Sequence, residues 1–175
     1  GLREFTQAAR ILMHKGIRAR LVIVGEPDDG NPGAVPRGQL AEWTEEGVVE
    51  WWGHRDDMPE VYASCHIFCL PTNYGEGLPT VLLEAAACGR PLVATDAPGC
   101  REIVMDGENG FLVPLHDPSA LAQALEVLIA DPALRQRMGR RGREIVSAEF
   151  SQEKVAASTL RLYAELLATR PVQKR

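Results

Sequence analysis

Ile67-Phe68-Cys69-Leu70, the loop from Pro71 to Pro79, Thr80-Val81-Leu82-Leu83-Glu84-Ala85-Ala86-Ala87-Cys88, and then Leu92-Val93-Ala94-Thr95 form the stretch whose reading decides the fold. Two short apolar runs bounded by turn residues flank one segment of helical period, which reads as strand, helix, strand. Both runs are continuously apolar. A strand covered by helices on both faces needs that pattern, whereas a half-solvated strand alternates.

The same unit repeats outward. Leu21 to Val24, Val48 to Trp52 and Phe111 to Val113 read as further strands, and helical periods fall at Met58 to Cys65 and in the stretch after Pro98. Strands that alternate with helices predict an α/β fold, a Rossmann-like doubly wound parallel sheet. Val48 to Trp52 is less continuously apolar and is placed nearer an edge. After the last strand only helices follow: Pro118 to Ala130, Pro132 to Val146, and Ser151 to about Thr169. Asp117, Asp131 and Ser151 are their expected caps, with proline opening the first two. Val155, Leu160, Tyr163, Leu166 and Leu167 give the third helix an apolar stripe expected to be buried. At the other end, Gly1 opens an amphipathic helix (Leu2, Phe5, Ala8, Ala9, Leu12) with no capping side chain and no strand ahead of it. The alternation demands one, so the chain is expected to begin just after the first strand of its domain. Residues 1–169 are read as one domain and 170–175 as a frayed tail; Glu26 to Arg37 reads as a long irregular loop.

Bulk properties narrow the function. The 175 residues are 45% hydrophobic and 25% charged, with net charge -5. That balance offers no general attraction to nucleic acid, and no segment approaches the roughly 20 apolar residues that span a bilayer. Without a basic start and an apolar block there is no signal peptide, and a cytoplasmic location is expected. Cys65, Cys69, Cys88 and Cys100 include no Cys-x-x-Cys pair and read as reduced thiols in or beside the core; a metal site from Cys65, His66 and Cys69 is the alternative.

Ligands of a doubly wound sheet bind beyond the carboxyl ends of its strands. The loop there with most to say is Asn73-Tyr74-Gly75-Glu76-Gly77-Leu78-Pro79-Thr80, which runs into the helix carrying Glu84. Gly75 and Gly77 let the backbone turn and approach a ligand, and the amides of Gly77, Leu78 and Thr80 at the helix start suit a phosphate. Glu76 and Glu84 are eight positions apart, about 12 Å of helical rise, which is too far for the acid pair of a hydrolytic glycosidase. Each acid can instead hold one end of a long ligand, Glu76 a sugar and Glu84 a ribose; the plain reading is a helix-terminal charge and a solvated acid.

With Glu76 to Ala85, Gly89-Arg90-Pro91-Leu92-Val93-Ala94-Thr95, Gly99 to Val104 and Asn109-Gly110-Phe111-Leu112-Val113-Pro114 in this order, the chain resembles the C-terminal domain of family-4 glycosyltransferases over nearly its whole length. The resemblance implies half of a GT-B enzyme that transfers sugar from a nucleotide sugar with retention. It places Glu76 on the donor sugar in the catalytic position, Glu84 on the ribose, Gly75, Gly77, Leu78, Pro79 and Thr80 along sugar and phosphate, and Gly53, His54 and Arg55 beside the nucleobase. It also implies an arginine and a lysine on the diphosphate, which would precede Gly1, so the isolated chain is expected to be inactive. Pro98 stands where many relatives have a glycine. Gly25 to Pro32 and Gly53 to Pro59 resemble a bacterial subgroup of surface-polysaccharide enzymes. From this follow a UDP-sugar donor and a polyprenyl-linked acceptor at the inner face of the membrane; the GT-B resemblance implies an N-terminal acceptor domain of the same enzyme, the charge argues against nucleic acid, and with no Asp-x-Asp triplet no cofactor or metal is expected. Rival readings are a non-catalytic nucleotide-binding module, a sugar-nucleotide epimerase and a phosphorylase.

Blander readings stand beside the remaining candidates. Glu102 is a salt-bridge partner or a ligand contact, and His54 and Arg55 touch a base or only solvent. His14, His66 and His116 lie outside the expected ligand loops and read as structural or exposed. The run Arg135, Arg137, Arg140, Arg141, Arg143 reads as a solvated face in preference to a lipid patch, and Trp43, Trp51 and Trp52 as packing at a sheet edge.

Overall fold

The computed structural model describes residues 1–28, 30–31, 33–75 and 77–168. In chain order the elements are α1 (Leu2–His14), β1 (Val22–Ile23), α2 (Arg37–Glu45), β2 (Glu50–Trp51), α3 (Met58–Ser64), β3 (Phe68–Leu70), α4 (Thr80–Ala87), β4 (Leu92–Thr95), β5 (Gly110–Val113), α5 (Pro118–Ala130), α6 (Pro132–Glu149) and α7 (Gln152–Ala168). The expected tail, residues 170–175, lies outside the described residues.

Among the described residues every ladder is parallel. β1 pairs with β2, Val22 opposite Glu50, and β3, β4 and β5 pair in that order, Phe68 opposite Leu92 and Leu92 opposite Gly110. The fold is therefore the expected doubly wound α/β arrangement, with β4 at its best-covered point. Its four side chains are all buried, and their alternation sends Val93 into one core cluster and Leu92 and Ala94 into another. The first cluster gathers Phe5, Ala8, Ala9 and Leu12 of α1 with Ile23, Val113, Leu121 and Leu125; the second gathers Tyr62, Leu82, Ala85, Ala86, Cys100 and Ile103. Two cores on opposite faces of one strand explain why its sequence is apolar without interruption. Gly110 is a close-approach residue: a Cβ there would stand 2.1 Å from the Leu92 carbonyl oxygen.

The caps form as their residue types require. Asp117 Oδ1 accepts from the amides of Ser119 and Ala120, Asp131 from Leu134, and Ser151 Oγ from Lys154. Several expectations are corrected. No helix forms after Pro98: residues 98–103 are turns, because Gly99 takes φ +87° and the Asn109 side chain claims the Met105 amide and the Ile103 carbonyl, groups a helix would have used. A helix, α2, occupies a stretch where none was expected; it opens at Pro36 without a capping side chain and buries only Leu40 and Trp43. The stripe on α7 is not covered, with Leu160 and Leu167 67% and 69% exposed. Two members of the arginine run are engaged: Arg135 donates to the Leu128 and Ile129 carbonyls at the end of α5, and Arg141 pairs with Glu108 and Glu144. No helix among the described residues is long and apolar enough to cross a membrane.

Candidate functional site

The loop from β3 to α4 is built outward from β4. Thr95, buried at the end of that strand, donates its hydroxyl to the Thr72 carbonyl at 2.6 Å, and Thr72 in turn donates to the Tyr74 carbonyl at 3.2 Å. A buried hydroxyl must find an acceptor, so this pair fixes where the loop leaves the sheet. The loop then passes the segment after β4: a Cβ on Gly75 would rest 3.6 Å from the Pro98 ring. Pro98 thus stands against the glycine loop as a wall. Gly75, Gly77, Leu78 and Thr80 are exposed and Pro79 is buried at the start of α4. Among the described residues no hydrogen-bond acceptor is found for the amides of Gly77, Leu78 and Thr80. Glu76, the expected catalytic carboxylate, lies outside the described residues.

Glu84 lies on α4, whose other face buries Leu82, Ala85 and Ala86. Its side chain is exposed, and its Oε2 accepts a 2.8 Å hydrogen bond from the Tyr62 hydroxyl on α3. One guanidinium links the C-terminal ends of these two helices: Arg90 donates from Nη1 to the Cys65 carbonyl at 2.8 Å and from Nε to the Cys88 carbonyl at 3.0 Å. Carbonyls at helix ends have no partner within the helix, so a side chain that reaches two of them fastens both ends.

The nucleobase candidates sit where the loops after β1 and β2 meet. The Gly25 amide donates to the Gly53 carbonyl at 2.7 Å, and Trp51 Nε1 to the Gly25 carbonyl at 2.8 Å. His54 Nε2 lies 2.9 Å from Asp56 Oδ1, Arg55 pairs through both guanidinium arms with Asp57, and its guanidinium carbon lies 5.9 Å from the centre of the Trp52 ring. The pairing holds the Asp57 carboxyl below its ordinary range. A shallow cleft of about 460 Å³ opens here among Trp52, Arg55, Asp57, Glu60, Val61 and Ser64.

Three features escape the sequence reading: the Tyr62 hydroxyl on Glu84, the Arg90 link between α3 and α4, and the contact of His116 with Glu4. Tyr62 is one of several apolar positions on a short helix, and no motif marks it as facing Glu84. His116 belongs to the strand-end loops after all. It follows β5 with φ +57° and brings Nδ1 within 3.2 Å of Glu4 Oε1, and the Asn73 side chain of the glycine loop also acts on Glu4. Burial works to raise the Glu4 carboxyl, but its own amide, His116 and Asn73 outweigh it and hold the group below its ordinary value. Cys65, His66 and Cys69 form no metal site: among the described residues no three His, Cys, Asp or Glu side chains gather around one point. Burial pushes the Cys69 thiol up to about 12, the behaviour of an inert packed thiol.

A parallel doubly wound domain whose glycine loop and acid-bearing helix lie at the strand ends defines the class. The family follows from comparison. The model of glycosyl transferases group 1 matches residues 1–131, and the chain belongs to that family. It is 30% identical over 167 residues to the N,N'-diacetylbacillosaminyl-diphospho-undecaprenol alpha-1,3-N-acetylgalactosaminyltransferase of Campylobacter jejuni, covering 95% of this chain and 42% of that protein. It is 31% identical over 153 residues to the capsular polysaccharide biosynthesis glycosyltransferase CapM of Staphylococcus aureus, covering 87% and 40%. Among solved structures it superposes on sucrose-phosphate synthase of Thermosynechococcus elongatus with TM-score 0.79 and 31% identity, covering 97% and 44%. On the C-terminal domain of a group 1 glycosyl transferase (LpcC) of Francisella tularensis it scores 0.74 with 25% identity, covering 87% and 80%. The chain spans about two fifths of the length of the curated relatives it matches.

Proposed function

We propose that this chain is the donor-binding half of a longer retaining glycosyltransferase that takes a UDP-sugar and serves bacterial surface-glycan synthesis, passing the sugar to a polyprenyl-linked or polysaccharide acceptor. The observation that carries the reading is the exposed Glu84 carboxylate, held in one place on α4, the helix that follows the glycine-loop amides for which no acceptor is found among the described residues. Amides at a helix start favour a diphosphate, and a carboxylate beyond them suits two vicinal ribose hydroxyls. In this reading Glu76 takes the sugar, at the opposite end of the donor from the ribose. The chemistry asked of the site is then electrostatic: stabilising charge on the leaving nucleoside diphosphate, whose own oxygen takes the acceptor proton on the same face. No metal and no cofactor enters this scheme.

The two separate ladders support the same reading. On the strand order 3-2-1-4-5-6, β1 and β2 would take positions 2 and 3 and β3 to β5 the positions on the other side, and the central place would belong to a strand of the longer protein. The cations for the diphosphate and the acceptor domain would lie in the rest of that protein, and the chain by itself would transfer nothing. The names of the relatives, one acting on a diphospho-undecaprenol acceptor and one in capsule synthesis, support the acceptor class.

The test is Glu84→Ala in the full-length protein with UDP titrated by calorimetry. Affinity should fall about tenfold or more, as when one charged hydrogen-bonding group leaves a ligand's polar end. Equal affinity for UDP would remove the ribose assignment. Product analysis with the wild-type enzyme separates transfer from epimerised donor or phosphorolysis, and the anomeric configuration of the product decides retention.

A further inference from the structure

We infer that Tyr62 is a positioning residue for Glu84: its hydroxyl fixes one carboxylate oxygen so that the other is presented to the ribose hydroxyls of the donor. The inference rests on the assignment of Glu84 to the ribose and extends it to a residue on a different helix.

The argument starts from how freely each side chain moves. Glu84 is exposed on α4 and has three rotatable bonds, so a carboxylate with no partner would sample several rotamers and lose that freedom on gripping a ligand. Tyr62 is the opposite case. Only 3% of it is exposed, its ring packs edge-on to Phe68 with centroids 5.6 Å apart, and it belongs to the core cluster of Leu82, Ala85 and Ala86. Its hydroxyl is therefore a fixed point at the edge of the core, and it lies 2.8 Å from Glu84 Oε2. A rigid donor that selects one rotamer of a flexible acid lowers the ordering cost of binding, which is how supporting residues raise affinity without touching a ligand.

Two observations keep the pair in place. Arg90 ties the carbonyl of Cys65, three residues after Tyr62, to that of Cys88, four residues after Glu84, so α3 and α4 hold a common spacing at this end. Burial first, then the bond to Glu84 and its charge, raise the Tyr62 phenol well above its ordinary value. The hydroxyl keeps its proton and acts as donor throughout the neutral range. With Oε2 occupied by this donor, Oε1 is the oxygen left for a ligand.

The experiment compares UDP with 2',3'-dideoxy-UDP, by calorimetry, on the full-length protein as wild type, Tyr62→Phe, Glu84→Ala and the double variant. Phenylalanine keeps the buried ring, and water can replace the lost hydroxyl at the exposed carboxylate, so the variant should fold; a denaturation curve verifies this. Wild type should prefer UDP. Tyr62→Phe should lose about fivefold to tenfold in UDP affinity while its affinity for the dideoxy analogue changes by less than about twofold, and it should add nothing on top of Glu84→Ala. If Tyr62→Phe weakens both nucleotides equally, or weakens neither, the positioning role is overturned while the ribose assignment stands. If wild type does not distinguish the two nucleotides, the ribose assignment falls and the inference falls with it.

Discussion

Gly139 and Gly142 lie three residues apart on α6, and alanine at the two positions should change stability in opposite directions. Each substitution removes the conformational freedom of a helical glycine, which by itself favours the folded state by about 1 kcal/mol. At Gly142 the new methyl would meet Ala86 Cβ and Asn109 Cβ at 3.5 Å, an ordinary packing distance, so that gain should survive almost whole. At Gly139 the methyl would stand 2.0 Å from the Gly89 carbonyl oxygen and 2.8 Å from its carbon. Both are backbone atoms of the turn between α4 and β4, so no side chain can swing away. Relief requires α6 to move off α4 by more than an ångström, opening the packing around Leu82, Ala85 and Ala86. Over-packing of this kind costs about 1–3 kcal/mol, and a backbone obstacle puts this case at the upper end, leaving a net loss of about 2 kcal/mol. Urea unfolding of the chain followed by circular dichroism would give both values. Equal effects at the two positions would refute the close approach of α6 to the α4–β4 turn, and with it the account of how α4 is held.

Two further outcomes follow from single groups. Thr95→Val removes the buried donor to the Thr72 carbonyl and should cost about 1–2 kcal/mol in the same assay; a variant as stable as wild type would show that this bond does not anchor the glycine loop. Glu50, paired with Arg20 through both guanidinium arms, has its carboxyl lowered from 4.5 to about 2, chiefly by that hydrogen bond. A depressed acid contributes stability above its unfolded value and loses it as pH falls through the folded one. The advantage of wild type over Arg20→Ala should therefore be full above about pH 4.5 and gone near pH 2, and, with Arg20 mostly exposed, it should be small throughout. A difference that persists at pH 2 contradicts the pairing.

What the sequence reveals follows the range of the interaction. Asp117-Pro118 and Asp131-Pro132 announce helix starts because capping is settled within four residues. Leu92 to Thr95 announces a strand buried on both faces because its composition records both. Arg37 to Glu45 conceals its helix, since proline stands at the cap and only Leu40 and Trp43 face the core. The segment after Pro98 has apolar residues at helical spacing, yet they serve a turn whose backbone groups are taken by Asn109, and that competition depends on the fold. In the candidate site the glycine loop and Glu84 are legible because their residue types advertise the chemistry. Tyr62, His116 and Arg90 are not, because each matters through a partner distant in the chain: Glu84, Glu4 and the end of α3.

The parallel pairing carries a consequence for how such a chain comes into being. Val22 meets Glu50, Phe68 meets Leu92, and Leu92 meets Gly110, so among the described strands no hairpin can form early and serve as a seed. Each pairing closes only after an intervening crossover has been made and ordered, and such long-range closure slows folding and leaves apolar strands bare while it proceeds. Leu92 to Thr95, the most completely buried of them, stays unprotected until neighbours on both sides have arrived, which makes it the segment most exposed to misassociation on the ribosome.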